Sequence, residues 1–286
     1  MVPATTETSA GRGAITVRLE PTRGFRRLIG PAELWRYRDV AVQMAVRDIK
    51  VRYRQTALGA AWAVLQPVGT MVVFTIFFGH VAKIGSQGVP YWQFSLAGAV
   101  PWAFFSNSLL LGSDSVARNA ALVSKIYFPR IFIPTATLVA GLLDLAIAVA
   151  ILLGSVLVAG VDPSARLLVL PLLVVIMFVS ALGITAGLSA VNVRYRDVRY
   201  VVPFAVQLWL FATPIAYPST LLGSPWRTLV ALNPMAGVVE GFRWSVLGTA
   251  ASPWNMLGVS AVSSLVLLAV GVLYFGRVER TFADLV

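Results

Sequence analysis

The residues with the chemistry to hold a ligand crowd into one stretch, Arg47 to Pro67, RDIKVRYRQTALGAAWAVLQP. Its first half carries Arg47, Lys50, Arg52 and Arg54, cations that need water or phosphate; beyond Ala57 the residues prefer hydrocarbon. A second basic group, Arg194, Arg196 and Arg199, stands in the run NVRYRDVRY from Asn192 to Tyr200. Such clusters either make charge-assisted hydrogen bonds to a phosphate-bearing ligand, or only orient the chain and attract anionic membrane lipids. Asp144 is the one acid deep inside an apolar run, where a carboxylate is costly unless paired, hydrogen-bonded or wet. Three roles are open to it: structural partner of a neighbouring span, group facing a channel, or proton relay. No second titratable residue stands beside it in sequence, which favours the structural one. Other chemistries are closed off, since there is no cysteine for a disulfide or thiolate and the single histidine, His80, cannot hold a metal alone.

The elements that must position these groups are membrane helices. With 58% hydrophobic and 12% charged residues in 286, and a mean hydropathy of +0.79, the chain reads as an all-α integral membrane protein. The net charge of +11 does not indicate nucleic acid, because 11 of the 23 Lys and Arg precede Thr56 and most others sit in short connections between apolar runs. Residues 1–30 read as a mobile cytoplasmic tail with no signal peptide, and residues 31–55 as an amphipathic helix in the membrane interface. In that helix Trp35, Val42, Val46, Ile49 and Tyr53 form an apolar stripe. Arg36, Asp39, Gln43, Arg47, Lys50 and Arg54 form a polar one, and Asp48 and Arg52 are spaced to pair at i and i+4.

Six spans follow, at about 57–82, 94–113, 131–159, 167–191, 201–217 and 254–275, the first bent at Pro67. Residues 218–252 are semi-apolar and broken by Pro218, Pro225 and Pro234. They fit a re-entrant pair of short helices near the outer face, because non-helical backbone at membrane depth needs protein or water around it. With both termini in the cytoplasm, only Lys83, Arg166, Arg227 and Arg243 of the 23 cations fall outside. A seventh crossing over 227–250 would leave Glu240 and Arg243 in lipid.

The run Arg47, Asp48, Ile49, Lys50, Arg52, Tyr53, Arg54, Gln55, Thr56, Leu58, Gly59, Trp62, Gln66 and Pro67 closely resembles the entry to the first membrane helix of ABC-2 type permeases that export polysaccharides. Four later segments resemble the same family in the same order. They are Asn119-x-x-Leu122-Val123-x-Lys125-Ile126-Tyr127-Phe128-Pro129-Arg130, Asn192 to Asp197, Asn233-Pro234-Met235 with Glu240-Gly241-Phe242-Arg243, and Glu279-Arg280-x-Phe282-Ala283-Asp284. The resemblance implies a homodimeric transmembrane subunit that works with two copies of a separate ABC ATPase, the partner holding ATP and Mg while this chain holds no cofactor. The absence of a G-x-x-x-x-G-K-[ST] phosphate loop agrees. The implied cargo is an undecaprenyl-pyrophosphate-linked polysaccharide, moved across the bacterial inner membrane.

In that setting Asn119, Leu122, Lys125, Tyr127, Phe128, Pro129 and Arg130 would form the segment that couples to the ATPase, with Lys125 and Arg130 exposed to touch it. The seven basic residues named above would receive the carrier's pyrophosphate. Aromatic rings stack on sugar C–H faces with little regard for linkage, so Phe74, Phe77, Phe78, Trp102, Phe104, Phe105, Trp209, Phe211 and Tyr217 are candidates to line the path, or else they pack in the core. Two alternatives remain: an ABC-2 permease for small lipids or drugs, and an intramembrane lipid-glycan enzyme. Against the enzyme, the loops carry no D-x-D motif and no carboxylate pair placed for acid/base work.

Overall fold

The computed structural model describes residues 37–54, 61–125, 128–160, 164–249, 252–279 and 282, without the side chains of 123–125. Trp35, Arg36, residues 55–59 of the basic entry run and Tyr127 lie outside the described residues, as does the Lys125 side chain. The described chain is helical, with no strand among its described residues.

An amphipathic helix, α1 (Arg38–Arg54), precedes α2 (Ala61–Phe74), which keeps Pro67 inside and widens into a π-helical turn over Thr75–Val81. Helix α3 (Tyr91–Ser113) returns to the basic face, where the short helices α4 (Ser115–Arg118) and α5 (Ala120–Lys125) turn the chain into α6 (Phe132–Val158). A 3-10 turn, Ala165–Val169, leads into α7 (Leu170–Arg194). Then come α8 (Val198–Ala212), α9 (Trp226–Ala231), α10 (Pro234–Leu247) and α11 (Trp254–Val278).

Five helical stretches are long and apolar enough to cross a membrane: Ala61–Val81, Tyr91–Ser113, Phe132–Val158, Ala165–Arg194 and Trp254–Val278. The remaining stretch read as a span, 201–217, is the 15-residue α8. At 1.5 Å per residue that is about 22 Å, short of the ~30 Å of hydrocarbon, and the chain goes on from it in non-helical backbone. Asn192–Arg194 extends α7, so the basic connection shrinks to the turn 195–197.

Helix α3 is apolar on every side and accordingly central, touching α2, α6, α7, α8 and α10. Helices α7 and α11 meet backbone to backbone: a Cβ on Gly271 would lie 1.8 Å from the Gly183 carbonyl oxygen, a distance only two glycines permit. Helix α10 enters between α3, α7 and α11 and is buried along its whole length except at Trp244.

Helix α1 meets the rest of the protein through a face that the sequence reading did not single out. Its buried residues are Met44 and Ala45, while Val42 of the apolar stripe is 60% exposed. The face between the two stripes packs along the first half of α6, with Met44 and Ala45 in one cluster with Ile131, Phe132 and Ile133, Asp48 at Thr137 and Arg52 at Asp144. Polar groups on α6 select that face, and α1 runs along α6. The polar stripe is exposed as expected at Asp39, Gln43, Arg47, Lys50 and Arg54.

Candidate functional site

Three polar constellations stand out in this apolar body. The first is where α1 meets α6. Arg52 forms an ion pair with Asp144, and the Tyr53 hydroxyl donates to the other carboxylate oxygen. The side chains of Arg52 and Asp144 are only 24% and 21% exposed, so the pair is more than a screened surface contact. Burial, reinforced by the bond to Asp144, pushes the Tyr53 phenol up to about 12, which keeps it a donor. A cavity of ≈ 20 Å³ adjoins the pair, lined in part by Asn107, Ser108 and Thr137. Nearby, Asn107 donates to Gln66 at 2.7 Å and ties α3 to α2. Asp144 thus has the structural partners its position demands, but they come from α1 and not from a neighbouring span as the sequence reading had it. Asp48, spaced to pair with Arg52, is bound by Arg47 and by the Thr137 hydroxyl.

The second constellation pins the connection between α3 and α6. Arg47 donates to Asn119 at 2.9 Å, and Asn119 donates to the Ser115 carbonyl. Asn192, at the end of α7, donates to Asp114 and to the Ser113 carbonyl, each at 3.1 Å. Phe128 is buried, and Leu122 packs against the same small core, which also holds Met44, Phe132, Phe275 and Phe282. Pro129 is buried too, and Arg130 is half-buried. Its backbone N–H donates to the Glu279 carboxylate at 2.9 Å, its guanidinium donates to the Glu279 carbonyl, and the same guanidinium lies over the Phe282 ring. Arg130 is therefore held by the end of α11, where the sequence reading had it exposed for a partner.

The third lies at the opposite end, where the chain leaves the helix after α8. Non-helical backbone at membrane depth has to find partners within the protein, and here each carbonyl from Phe211 to Ala216 has one. Tyr217 serves Phe211 at 3.3 Å, Asn233 serves Ala212 at 3.4 Å, and the Ile215 N–H serves Thr213 at 2.7 Å. Arg243 serves Pro214 and Ile215, each at 2.6 Å, and Tyr91 serves Ala216 at 2.5 Å. Arg243, 0% exposed, also donates to Phe94 and stacks 3.5 Å from its ring centroid. Glu240, 3.6 Å from Arg243, accepts from the Ser219 N–H at 2.8 Å. These two residues, which would have been in lipid as part of a seventh crossing, are buried in protein.

A membrane body with a short buried helix, and with a pinned connection at its basic end, is the architecture the matching family has to explain. The profile of ABC-2 type transporters matches residues 41–247, from α1 through the end of α10. The chain belongs to the ABC-2 type transporter family. Among its relatives, the O-antigen export system permease protein RfbA of Myxococcus xanthus is 30% identical over 257 residues, which is 88% of this chain and 97% of that protein. A Klebsiella pneumoniae RfbA is 24% identical, covering 86% and 95%. The polysialic acid transport protein KpsM of Escherichia coli is 25% identical, covering 82% and 92%. This ABC-2 chain is a multi-pass membrane protein.

The aromatic candidates divide by burial. Phe74, Trp102, Phe104 and Phe105 belong to the core around α3 and pack against helices, with Phe104 also lining the cavity beside Asp144. Trp102 lies 5.6 Å from Phe105, which meets Trp209 edge-on at 5.3 Å. Phe78, Trp209 and Tyr217 are partly buried against that core, which leaves Phe77 and Phe211 exposed. Sequence reasoning did not reach the partners of Arg52, Arg130 and Arg243. The local signal for Arg243 was an acid and a base three residues apart in a semi-apolar segment.

The Arg52–Asp144 pair makes a direct prediction. Asp144→Asn should lower the stability of the purified protein in detergent by about 1.5–3 kcal/mol, the worth of a hydrogen bond to a charged group. In a double-mutant cycle with Arg52→Gln, the two losses should be clearly less than additive. Additive losses would mean that the two side chains do not interact.

Proposed function

We propose that this chain is the transmembrane subunit of an ATP-driven exporter of lipid-linked polysaccharide. Two copies work with two copies of a separate ABC ATPase, which holds ATP and Mg, and the basic face with both termini lies in the cytoplasm of a bacterial inner membrane. The observation that carries this reading is the 30% identity with an O-antigen permease extending over 97% of that protein's length. The lack of a phosphate loop in the sequence supports a separate ATPase. A second copy is supported by α8, which leaves Phe204, Leu208 and Phe211 exposed along one side. The exposed Phe77 and Phe211 are the aromatics best placed to meet a sugar chain between two copies.

The pyrophosphate of an undecaprenyl carrier needs cations not committed elsewhere. Arg52 is engaged by Asp144, and Arg47 by Asp48 and Asn119. On α1 this leaves the exposed Lys50 and Arg54 as the favoured phosphate ligands, joined by the exposed Arg196 of the basic turn and its neighbours Arg194 and Arg199, the last of which also donates to the Arg196 carbonyl. The reading is tested in native cells. Tagged chain solubilised in mild detergent should bring down an ATP-binding subunit in equal amount. Deletion of the chain should leave lipid-linked polysaccharide trapped inside the cell. A chain that purifies alone, with surface glycan unchanged by deletion, would sink the proposal.

A further inference from the structure

The contacts of Glu279 point past the binding of a partner to the delivery of its movement. Span α6 begins at Phe132 with no side-chain cap on its first N–H groups. Two residues before the helix, the Arg130 N–H donates at 2.9 Å to the Glu279 carboxylate, a negative charge beside the positive end of the α6 dipole. Glu279 is the residue that ends α11. The same junction is closed on its other side by Phe282, which meets Phe275 of α11 edge-on at 5.4 Å beneath the Arg130 guanidinium.

From there α11 runs unbroken for 25 residues to the opposite face. Along the way the Gly183–Gly271 contact binds it to α7 with no side chain between the two backbones to absorb a displacement. Near its far end, the Gly237 N–H donates to Ser260 at 3.0 Å, and a Cβ on Gly237 would lie 2.8 Å from the Leu257 Cα. The re-entrant α10 is thus seated directly on the α11 backbone, though less closely than α7 is. Helix α8 touches α3 and α7, and at its far end the Ala212 carbonyl accepts from Asn233, which caps α10.

We propose that Glu279 is a positioning residue that ties the connection between α3 and α6 to α11, so that a push at the basic face travels along α11 to the re-entrant α10. This rests on the reading that an ATPase binds at that connection. Movement then reaches the far side as a rigid-body shift of α7, α10 and α11 together, with the basic end of α8 swinging relative to them about its far end, which Asn233 and Arg243 hold to α10.

The test uses the whole exporter with its co-purified ATPase. Glu279→Ala should leave the amount of bound ATPase unchanged and reduce surface polysaccharide about tenfold. Glu279→Gln, whose amide oxygen still accepts from Arg130 N–H, should restore most of it. An ATPase retained by Glu279→Ala, with export at the wild-type level, overturns the clamp. Wild-type chain that retains no ATPase overturns the reading beneath it instead.

Because Glu279→Ala can also prevent folding, a second measurement keeps Glu279. The chain has no natural cysteine, so spin labels can be placed through Ala121→Cys with Gly276→Cys, or through Ala121→Cys with Tyr200→Cys, all exposed positions. Between the nucleotide-free and ATP-trapped complex, the first distance should hold within about 2 Å while the second changes by more. A first distance that changes as much as the second, or two distances that both stay fixed, overturns the proposal.

Discussion

Arg243→Ala should prevent the protein from accumulating in the membrane. The guanidinium is fully buried and fills three backbone carbonyls, those of Phe94, Pro214 and Ile215, as well as facing Glu240. Removing one partner of a buried charged set costs about 3–5 kcal/mol, because the groups left behind keep their desolvation penalty without compensation. Pro214 and Ile215 belong to the non-helical segment after α8 and have no helix to accept them back. A domain stable by about 5–15 kcal/mol loses a large share of its margin. Two companion variants separate donors from volume. Arg243→Met keeps much of the volume but offers no donor, and should fail as badly as alanine. Arg243→Lys keeps a charge and three donors without the planar fork that reaches two carbonyls at once, and should recover only part. Membrane yield and detergent melting of the three variants decide it. A wild-type melting point for Arg243→Met would show that packing, not hydrogen bonding, holds this end together.

The long helices were legible because hydrocarbon sets their length. The span read at 131–159 is observed at Phe132–Val158, and the one at 254–275 ends at Val278, since a run of apolar residues between charged or proline-rich breaks leaves few choices of boundary. The fifth span was less legible: the run Thr213, Pro214, Ile215 continues the apolar stretch but is not helical, and its Pro214 and Ile215 carbonyls are satisfied by Arg243, 28 residues on from Ile215. The same limit applies to the site. Arg52 and Asp144 are 92 residues apart, so composition showed that Asp144 needed a partner but not where it came from. The face of α1 that meets protein was hidden for a related reason. Periodicity placed Val42 and Val46 on the apolar stripe of an interfacial helix, while Thr137 and Asp144 on α6 draw the Asp48 and Arg52 side inward, and an exposed valine costs little where lipid or a second copy can meet it.

Gly271→Ala should be the most damaging single methyl that can be added to this protein. Glycine to alanine inside a helix ordinarily stabilises by about 0.5–1 kcal/mol, because the unfolded chain has fewer states to lose. At Gly276, where a Cβ meets nothing within 4 Å, that gain should be seen. At Gly271 the new carbon would sit 1.8 Å from the Gly183 oxygen and 2.7 Å from its carbonyl carbon, atoms of a helix backbone that cannot rotate away. Helices α7 and α11 then have to separate by more than an ångström along their contact, and overpacking of this kind costs about 1–3 kcal/mol even where side chains can yield. With backbone on both sides, the loss should reach the top of that range or exceed it. Gly187 provides an internal control, since its Cβ would rest 3.8 Å from the Gly271 Cα, ordinary contact. Thermal unfolding in detergent should therefore rank Gly276→Ala at or above the parent, Gly187→Ala close to it and Gly271→Ala far below. Equal melting points for the three would mean that α7 and α11 do not touch at their glycines, and would remove the rigid contact on which transmission through α11 depends.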